Sequence, residues 1–134
     1  MTNGMPKHVL KEGGTTKKKK LQKELYVIFT KRAPGVSLEN MREVVPQHLA
    51  FQVDLEARGI MFGAGPLFPP DSDHWQGEGM VIIRANSLEE AKAIAAEDPM
   101  HTAGKREYTV REWMMNEGTI TLRVTYSDGK STVI

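Results

Sequence analysis

Residues 80–99 read MVIIRANSLEEAKAIAAEDP, and this stretch decides the predicted fold. Its first four residues are apolar and mostly β-branched, which favours a buried strand. Ser87 and Glu90 follow with the spacing of a capping box, so a helix is expected to begin there. Pro99 should end this Ala-rich helix near Asp98, because the residue before a proline disfavours the α conformation. The stretch therefore predicts a strand followed directly by a helix.

A second strand–helix unit lies nearer the amino end. The run 25–30, LYVIFT, is short, β-branched and aromatic, as is typical of a buried strand. Ser37 can cap a helix that runs to about residue 58, where Gly59 closes it. Pro46 falls inside that span, so the helix either kinks there or restarts with Pro46 in its first turn.

Further strands are predicted at 60–62 and, from alternating apolar residues, at 105–113. Residues 119–134 alternate around a Ser-Asp-Gly turn and predict a β-hairpin. The resulting order, β-α-β-β-α-β with a C-terminal hairpin, is that of a ferredoxin-like α+β fold. Helices cover only one face of such a sheet, so we expect a second subunit to cover the other and give a homodimer.

The 134 residues carry 18 basic and 17 acidic side chains, for a net charge of +1. Residues 1–23 hold seven lysines and one glutamate, or +6, so the rest of the chain carries −5. We predict a flexible basic tail at 1–23, a domain at 24–115 and a hairpin extension at 116–134. No aromatic residue is interleaved with the lysines, so a solubilising tail is favoured over a nucleic-acid-binding arm.

Several classes of protein are excluded or disfavoured. The absence of cysteine excludes disulfides, cysteine-ligated metal sites and thiol catalysis. The longest apolar run, 25–29, is far shorter than the ~20 residues that span a bilayer. The acidic loop at 71–75 lacks the glycine and the terminal glutamate of a calcium loop. We therefore expect a cytoplasmic protein with no membrane partner and no metal.

His48 is the first candidate functional residue. On a helical wheel it lies near the centre of an apolar arc of about 160°. A histidine there faces a pocket or the interior. The residues alone leave two interpretations open: a functional group in a pocket, or a core histidine whose nitrogens are satisfied by hydrogen bonds.

Asp98 is the second candidate. At a helix end, and next to Glu97, a carboxylate is disfavoured and its pKa should be raised. The ordinary interpretation is an Asp-Pro turn. The alternative is a carboxylate held at a pocket mouth as a base or to orient a histidine. His101, three residues later, could join the pair as a ligand or a second acid, although a rim position is favoured.

These residues form a larger pattern that resembles the YCII-related (YciI-like) family over residues 24–115. The pattern comprises, in this order, His48-Leu49, Gly65-Pro66-Leu67, Ser87-Leu88-Glu89-Glu90-Ala91, Ala95, Asp98-Pro99, Gly104 and Trp113. The resemblance implies a dimeric α+β barrel with a histidine–aspartate pair in a pocket between sheet and helices, here His48 and Asp98. The serine that the family often carries where the third strand begins is missing, since residues 77–80 read GEGM.

The best-understood activity of that family is dehydrochlorination of a chlorinated hydroxyquinol. We accordingly expect a cofactor-independent lyase or isomerase acting on a cyclic or aromatic-derived metabolite. His48 is the expected general base, and Asp98 orients it. The expected substrate-binding residues are Phe62, Gly65, Pro66, Trp75 and His101. The alternative is a non-catalytic module that binds a small ligand, in which the His–Asp pair is only a buried polar contact.

Overall fold

A computed structural model of the chain describes residues 23–133. The basic tail predicted at 1–23 lies outside this range except for Lys23. The elements in chain order are β1 (Lys23–Arg32), α1 (Leu38–Arg42), α2 (Val45–Ala57), β2 (Met61–Leu67), β3 (Glu78–Ile83), α3 (Leu88–Ala96), α4 (Pro99–Thr102), β4 (Arg106–Met115), β5 (Leu122–Val124) and β6 (Ser131–Val133). No helix in the described range is long and apolar enough to cross a membrane.

The main compact unit, residues 24–114, is built on one four-stranded sheet in the order β2-β3-β1-β4. β3 pairs antiparallel with both β1 and β2, and Val81 lies opposite Ile28 on one side and Ala64 on the other. Strands that follow one another through a helix are thus separated by a third strand. This order confirms the predicted ferredoxin-like α+β fold.

The core lies between this sheet and the helices. Side chains alternate along a strand, so Tyr26, Ile28 and Thr30 face the helices whereas Phe29 faces the opposite, helix-free side. Full burial of one large apolar side chain contributes about 1.5–3 kcal/mol. Burial on the helix-covered face therefore contributes to stability, and its buried cluster comprises Tyr26, Ile28, Leu55, Val81, Ile83, Ala91 and Ala95.

The long helix predicted between residues 37 and 58 is two helices. Ser37 caps α1 as expected, with its side chain accepting the Asn40 N–H at 3.0 Å. The chain then restarts as α2 with Pro46 in the first turn. Proline suits that position because a first-turn N–H has no partner within the helix. Gly59 follows with a φ of +73°, which glycine adopts without strain.

The second helix ends earlier than expected. Ser87 caps α3 through the Glu90 N–H, as the capping box predicts, but the helix stops at Ala96. Pro99 does not follow its last turn; it opens a new four-residue helix, α4, whose N-cap is Asp98. The placement of Asp98 at a helix carboxyl end is therefore wrong, since its side chain lies at an amino end.

β2 is longer than the predicted strand at 60–62. It continues to Leu67, with Pro66 opposite Gly79. A proline is tolerated here because β2 is an edge strand and Pro66 need donate no ladder hydrogen bond. The pairing shifts between Met61 and Gly63, so Phe62 is the extra residue of a β-bulge.

The carboxyl-terminal residues form a separate hairpin in which Leu122 pairs with Val133 and Val124 with Ser131. Asp128 holds the turn by accepting the Thr125 hydroxyl and the Lys130 N–H. These contacts confirm the predicted hairpin and the position of its turn.

Candidate active site

The first turn of α2 and the amino end of α4 bring His48 and Asp98 into direct contact. His48 Nδ1 lies 2.9 Å from each carboxylate oxygen of Asp98. The two side chains are only 14% and 5% exposed. A carboxylate accepts hydrogen bonds, so Nδ1 carries the proton and Nε2 is the basic nitrogen of neutral His48. Nε2 has no hydrogen-bond partner in the described part of the chain, and it is not among the atoms sealed from solvent.

Two backbone N–H groups of α4 hold Asp98 in place. Its Oδ1 accepts the Met100 N–H at 2.8 Å, and its carbonyl oxygen accepts the His101 N–H at 2.8 Å. Burial raises the pKa of Asp98, but the hydrogen bond and charge of His48, with the Met100 N–H, outweigh burial and leave that pKa below its usual value. The upward shift expected from the sequence is wrong, because the carboxylate meets donors at a helix amino end.

His101 lies beside this pair with both ring nitrogens occupied. Nδ1 donates to the Ala95 carbonyl oxygen at 2.6 Å, which leaves Nε2 to accept the Thr30 hydroxyl at 2.9 Å. The ring stacks on Tyr108, with centroids 3.9 Å apart. Burial lowers the pKa of His101, so the ring is held neutral. It offers no free nitrogen as a ligand or second acid.

Gly65 and Pro66 lie at the same end of the sheet as Thr30. Gly79 pairs with Pro66 on one side and with Thr30 on the other, so the three residues form one row across three strands. A Cβ at Gly79 would lie 3.5 Å from both the Gly65 carbonyl oxygen and the Thr30 methyl group. Because Gly79 has no side chain, only backbone occupies the middle of this row. It lies next to Thr30, the residue whose hydroxyl bonds to His101.

The loop between β2 and β3 places Trp75 over Arg106, the first residue of β4. The Trp75 Nε1 donates to the Glu78 carbonyl oxygen at 2.6 Å. The Arg106 guanidinium carbon lies 5.6 Å from the Trp75 ring centroid. Arg106 is 7% exposed, and its Nε is buried without an acceptor. Burial lowers the pKa of Arg106 and the charge of Asp98 opposes this, so the guanidinium belongs to the surroundings of the His48–Asp98 pair.

Arg106 is the residue that sequence reasoning missed. It was treated only as part of a strand. Strand alternation could have found it, because Arg106 shares a face with Tyr108 and Val110, both of which pack against the core. An arginine at a core-facing strand position is rare unless it has a specific partner.

Phe62 is the expected site residue that the structure does not bring to the pair. Its ring packs under the Arg84 guanidinium, whose carbon is 5.3 Å from the ring centroid. Its neighbour Met61 pairs with Ile83, at the opposite end of β3 from Gly79. Within residues 23–133, no group of three or more histidine or acidic side chains could hold a metal ion.

Comparisons with known proteins agree on this region. A family model of the YCII-related domain matches residues 25–114. YjpA, an uncharacterized protein of Bacillus subtilis strain 168, is 33% identical over 94 residues, which are 69% of this chain and 96% of YjpA. Among solved structures, the fold resembles that of 5-chloro-2-hydroxyhydroquinone dehydrochlorinase (TftG) from Burkholderia phenoliruptrix AC1100 in complex with 2,5-dihydroxybenzoquinone. The TM-score is 0.57 and the identity 26%, and the match covers 66% of this chain and 92% of TftG.

Proposed function

Because the chain belongs to the YCII-related family, we propose that it is a cofactor-independent lyase or isomerase acting on a cyclic or aromatic-derived small molecule. The observation that carries this proposal is the contact of His48 Nδ1 with both oxygens of Asp98 at 2.9 Å. The similarity to TftG, a dehydrochlorinase whose structure holds a hydroxylated quinone, supports a lyase-like activity at the level of the family.

In this mechanism His48 Nε2 is the general base. Asp98 fixes the proton on Nδ1, so the lone pair of Nε2 is available to take a proton from a ring hydroxyl or a ring carbon. The carboxylate then stabilises the imidazolium that forms. Return of the proton to another atom completes an isomerisation, and departure of a leaving group with its bonding electrons completes an elimination. Such proton transfer typically contributes ~10²–10⁴ in rate.

The matched test compares two histidine–aspartate pairs of this chain. His48→Asn should reduce chloride release from 5-chloro-2-hydroxyhydroquinone, or turnover of another accepted ring substrate, by ~10²–10⁴. His74→Asn is the control, because His74 contacts Asp73 at the same 2.9 Å but both side chains are more than four-fifths exposed. A folded His48→Asn variant with wild-type turnover would refute general-base catalysis and favour a non-catalytic binding module.

The helix-free face supports the further proposal of a homodimer. Phe29 is 41% exposed there. A depression of about 530 Å³ opens beside it, with the Lys31–Glu107 ion pair at its edge. We expect a second copy to cover this end of the sheet. Sedimentation should give a dimer for the wild type and a monomer for Phe29→Asp, and a monomeric wild type would refute the proposal.

A further inference from the structure

Arg106 carries a buried positive charge that the described protein does not neutralise. The side chain is 7% exposed, and Nε is sealed from solvent without an acceptor. Within residues 23–133 its guanidinium makes no hydrogen bond or ion pair. Arginine keeps its charge in proteins, and buried charges are normally paired. The guanidinium is therefore a donor group without its expected partner.

Asp98 is the acidic group whose charge acts on Arg106, but it is committed elsewhere. Both of its oxygens contact His48 Nδ1, and one also accepts the Met100 N–H. Arg106 and Asp98 are not within ion-pairing distance of each other. The guanidinium thus lies near the pair while its own hydrogen-bonding capacity remains unused.

Neither His101 nor Lys105 can take this role. His101 is held neutral with both nitrogens occupied. Lys105, the preceding residue, is directed to Asn40 at 3.3 Å and Glu43 at 4.0 Å. Arg106 alone combines burial, nearness to Asp98 and unused donors.

We propose that Arg106 binds an oxyanion of the ligand on which His48 acts, so that the site takes small ring compounds bearing a carboxylate or an ionised ring hydroxyl. The inference rests on the proposed function for the role of His48. A guanidinium presents a planar fork of N–H donors that matches such an anion. His48 would meet the proton to be removed while Arg106 holds the negative oxygen, and Trp75 would keep the guanidinium in place from the other side.

A first test needs no ligand. Replacing an unpaired buried charge with an apolar side chain of similar length should stabilise the fold. The ligand-free Arg106→Met variant should therefore unfold at a higher temperature than the wild type, whereas Arg106→Lys, which keeps the charge, should not. Both variants lose the guanidinium contact with Trp75, so the comparison between them isolates the charge. An Arg106→Met variant no more stable than Arg106→Lys would show that the buried charge has no unmet cost and would overturn the proposal.

The second test measures binding by calorimetry on the full chain. The probes are 2,5-dihydroxybenzoquinone, benzoate and benzamide, the last two differing in charge but little in shape. Wild type should bind at least one anionic probe more tightly than benzamide, and Arg106→Gln should weaken that binding at least ~10-fold, about the value of a hydrogen bond to a charged group. If Arg106→Gln weakens the binding of benzoate, the natural ligand carries a carboxylate. If it weakens the binding of the quinone, the natural ligand carries an ionised ring hydroxyl.

The control variant is Arg84→Gln. Arg84 also stacks on an aromatic ring, but its guanidinium already donates to the Gly59 and Met61 carbonyl oxygens. Its loss should leave anion binding unchanged. Equal binding of the anionic probes by wild type and Arg106→Gln, no binding of either by the wild type, or a preference for benzamide would overturn the proposal.

The two proposals fail in different ways. If His48→Asn retains turnover while Arg106→Gln loses anion binding, general-base catalysis fails and the anion site stands. If His48→Asn abolishes turnover while Arg106→Gln binds and turns over normally, the base stands and the anion site fails.

Discussion

Asp98→Asn isolates the electrostatic part of the candidate site with little change in shape. In the folded chain two donors converge on this side chain: His48 Nδ1 at 2.9 Å from each oxygen and the Met100 N–H at 2.8 Å from Oδ1. A carboxylate accepts from both, whereas an amide offers one oxygen and one NH₂ group. An asparagine whose oxygen keeps the Met100 contact places its NH₂ group in the position of Oδ2, which also lies 2.9 Å from His48 Nδ1.

That arrangement favours the other tautomer of His48. An NH₂ group donates to an unprotonated Nδ1 and repels an N–H there, so the proton is favoured on Nε2, and the nitrogen proposed as the base then carries the proton. The imidazolium also loses the carboxylate that stabilises it. We expect turnover to fall by ~10²–10⁴, the usual range for general-base catalysis. The side chain is 5% exposed, so the lost charge-assisted hydrogen bond should also cost about 1.5–3 kcal/mol of folding free energy.

Three measurements check this reasoning. Two-bond ¹H–¹⁵N correlation spectra should show His48 protonated at Nδ1 in the wild type and at Nε2 in the variant. Turnover reports the catalytic loss, and urea unfolding at pH 7 reports the stability loss. Asp73→Asn is the control, because its contact with His74 is fully at the surface. A variant that keeps turnover and the Nδ1-protonated tautomer would refute the role given to Asp98.

The remaining predictions concern pH and packing. In the folded chain the pKa of His101 is lowered from 6.5 and that of Asp98 from 3.8. The unfolded chain therefore binds more protons than the folded chain as the pH falls. The free energy of unfolding, measured with urea, should decrease below pH 6.5 and again below pH 3.8. Wild-type stability at pH 3 equal to that at pH 7 would contradict this sign. Thr30→Val leaves His101 Nε2 without its donor and should cost about 1–3 kcal/mol in the same assay; a neutral result would show that water replaces the hydroxyl. Gly77→Ala should lower the melting temperature, because φ is +96° and a Cβ would lie 2.7 Å from a packed side chain. In the control Gly35→Ala, the added Cβ meets nothing within 4 Å, so the melting temperature should fall less. Equal decreases in melting temperature would show that the steric contact at Gly77 adds nothing to the backbone strain.

The sheet and the helices were predictable because their signals are local. Apolar periodicity located the strands, and Ser37 and Ser87 located two helix starts. The length of β2 was not predictable, because Pro66 looks like a strand terminator unless the strand is known to lie at an edge. Edge position is a property of the sheet and is absent from the local sequence.

The site was predictable in part. The helical wheel and the family resemblance both singled out His48, and its contact with Asp98 followed from the resemblance. The sequence predicts the wrong direction for the pKa shift of Asp98, because Pro99 there indicates the end of one helix, whereas in the structure it begins the next. Strand alternation with Tyr108 and Val110 is the only sequence signal that marks Arg106. The surroundings of Arg106 include Trp75, a loop residue, and Asp98, a helix cap. Neither residue is near Arg106 in the chain.

The two prolines next to His48 and Asp98 have a consequence for how the contact between these residues forms. Pro46 lies in the first turn of α2, two residues before His48, and Pro99 begins α4, directly after Asp98. Proline fixes φ before folding, so these segments lose less backbone entropy when the site forms. The His48–Asp98 contact is thus carried by two short segments whose backbone is partly fixed before the chain folds.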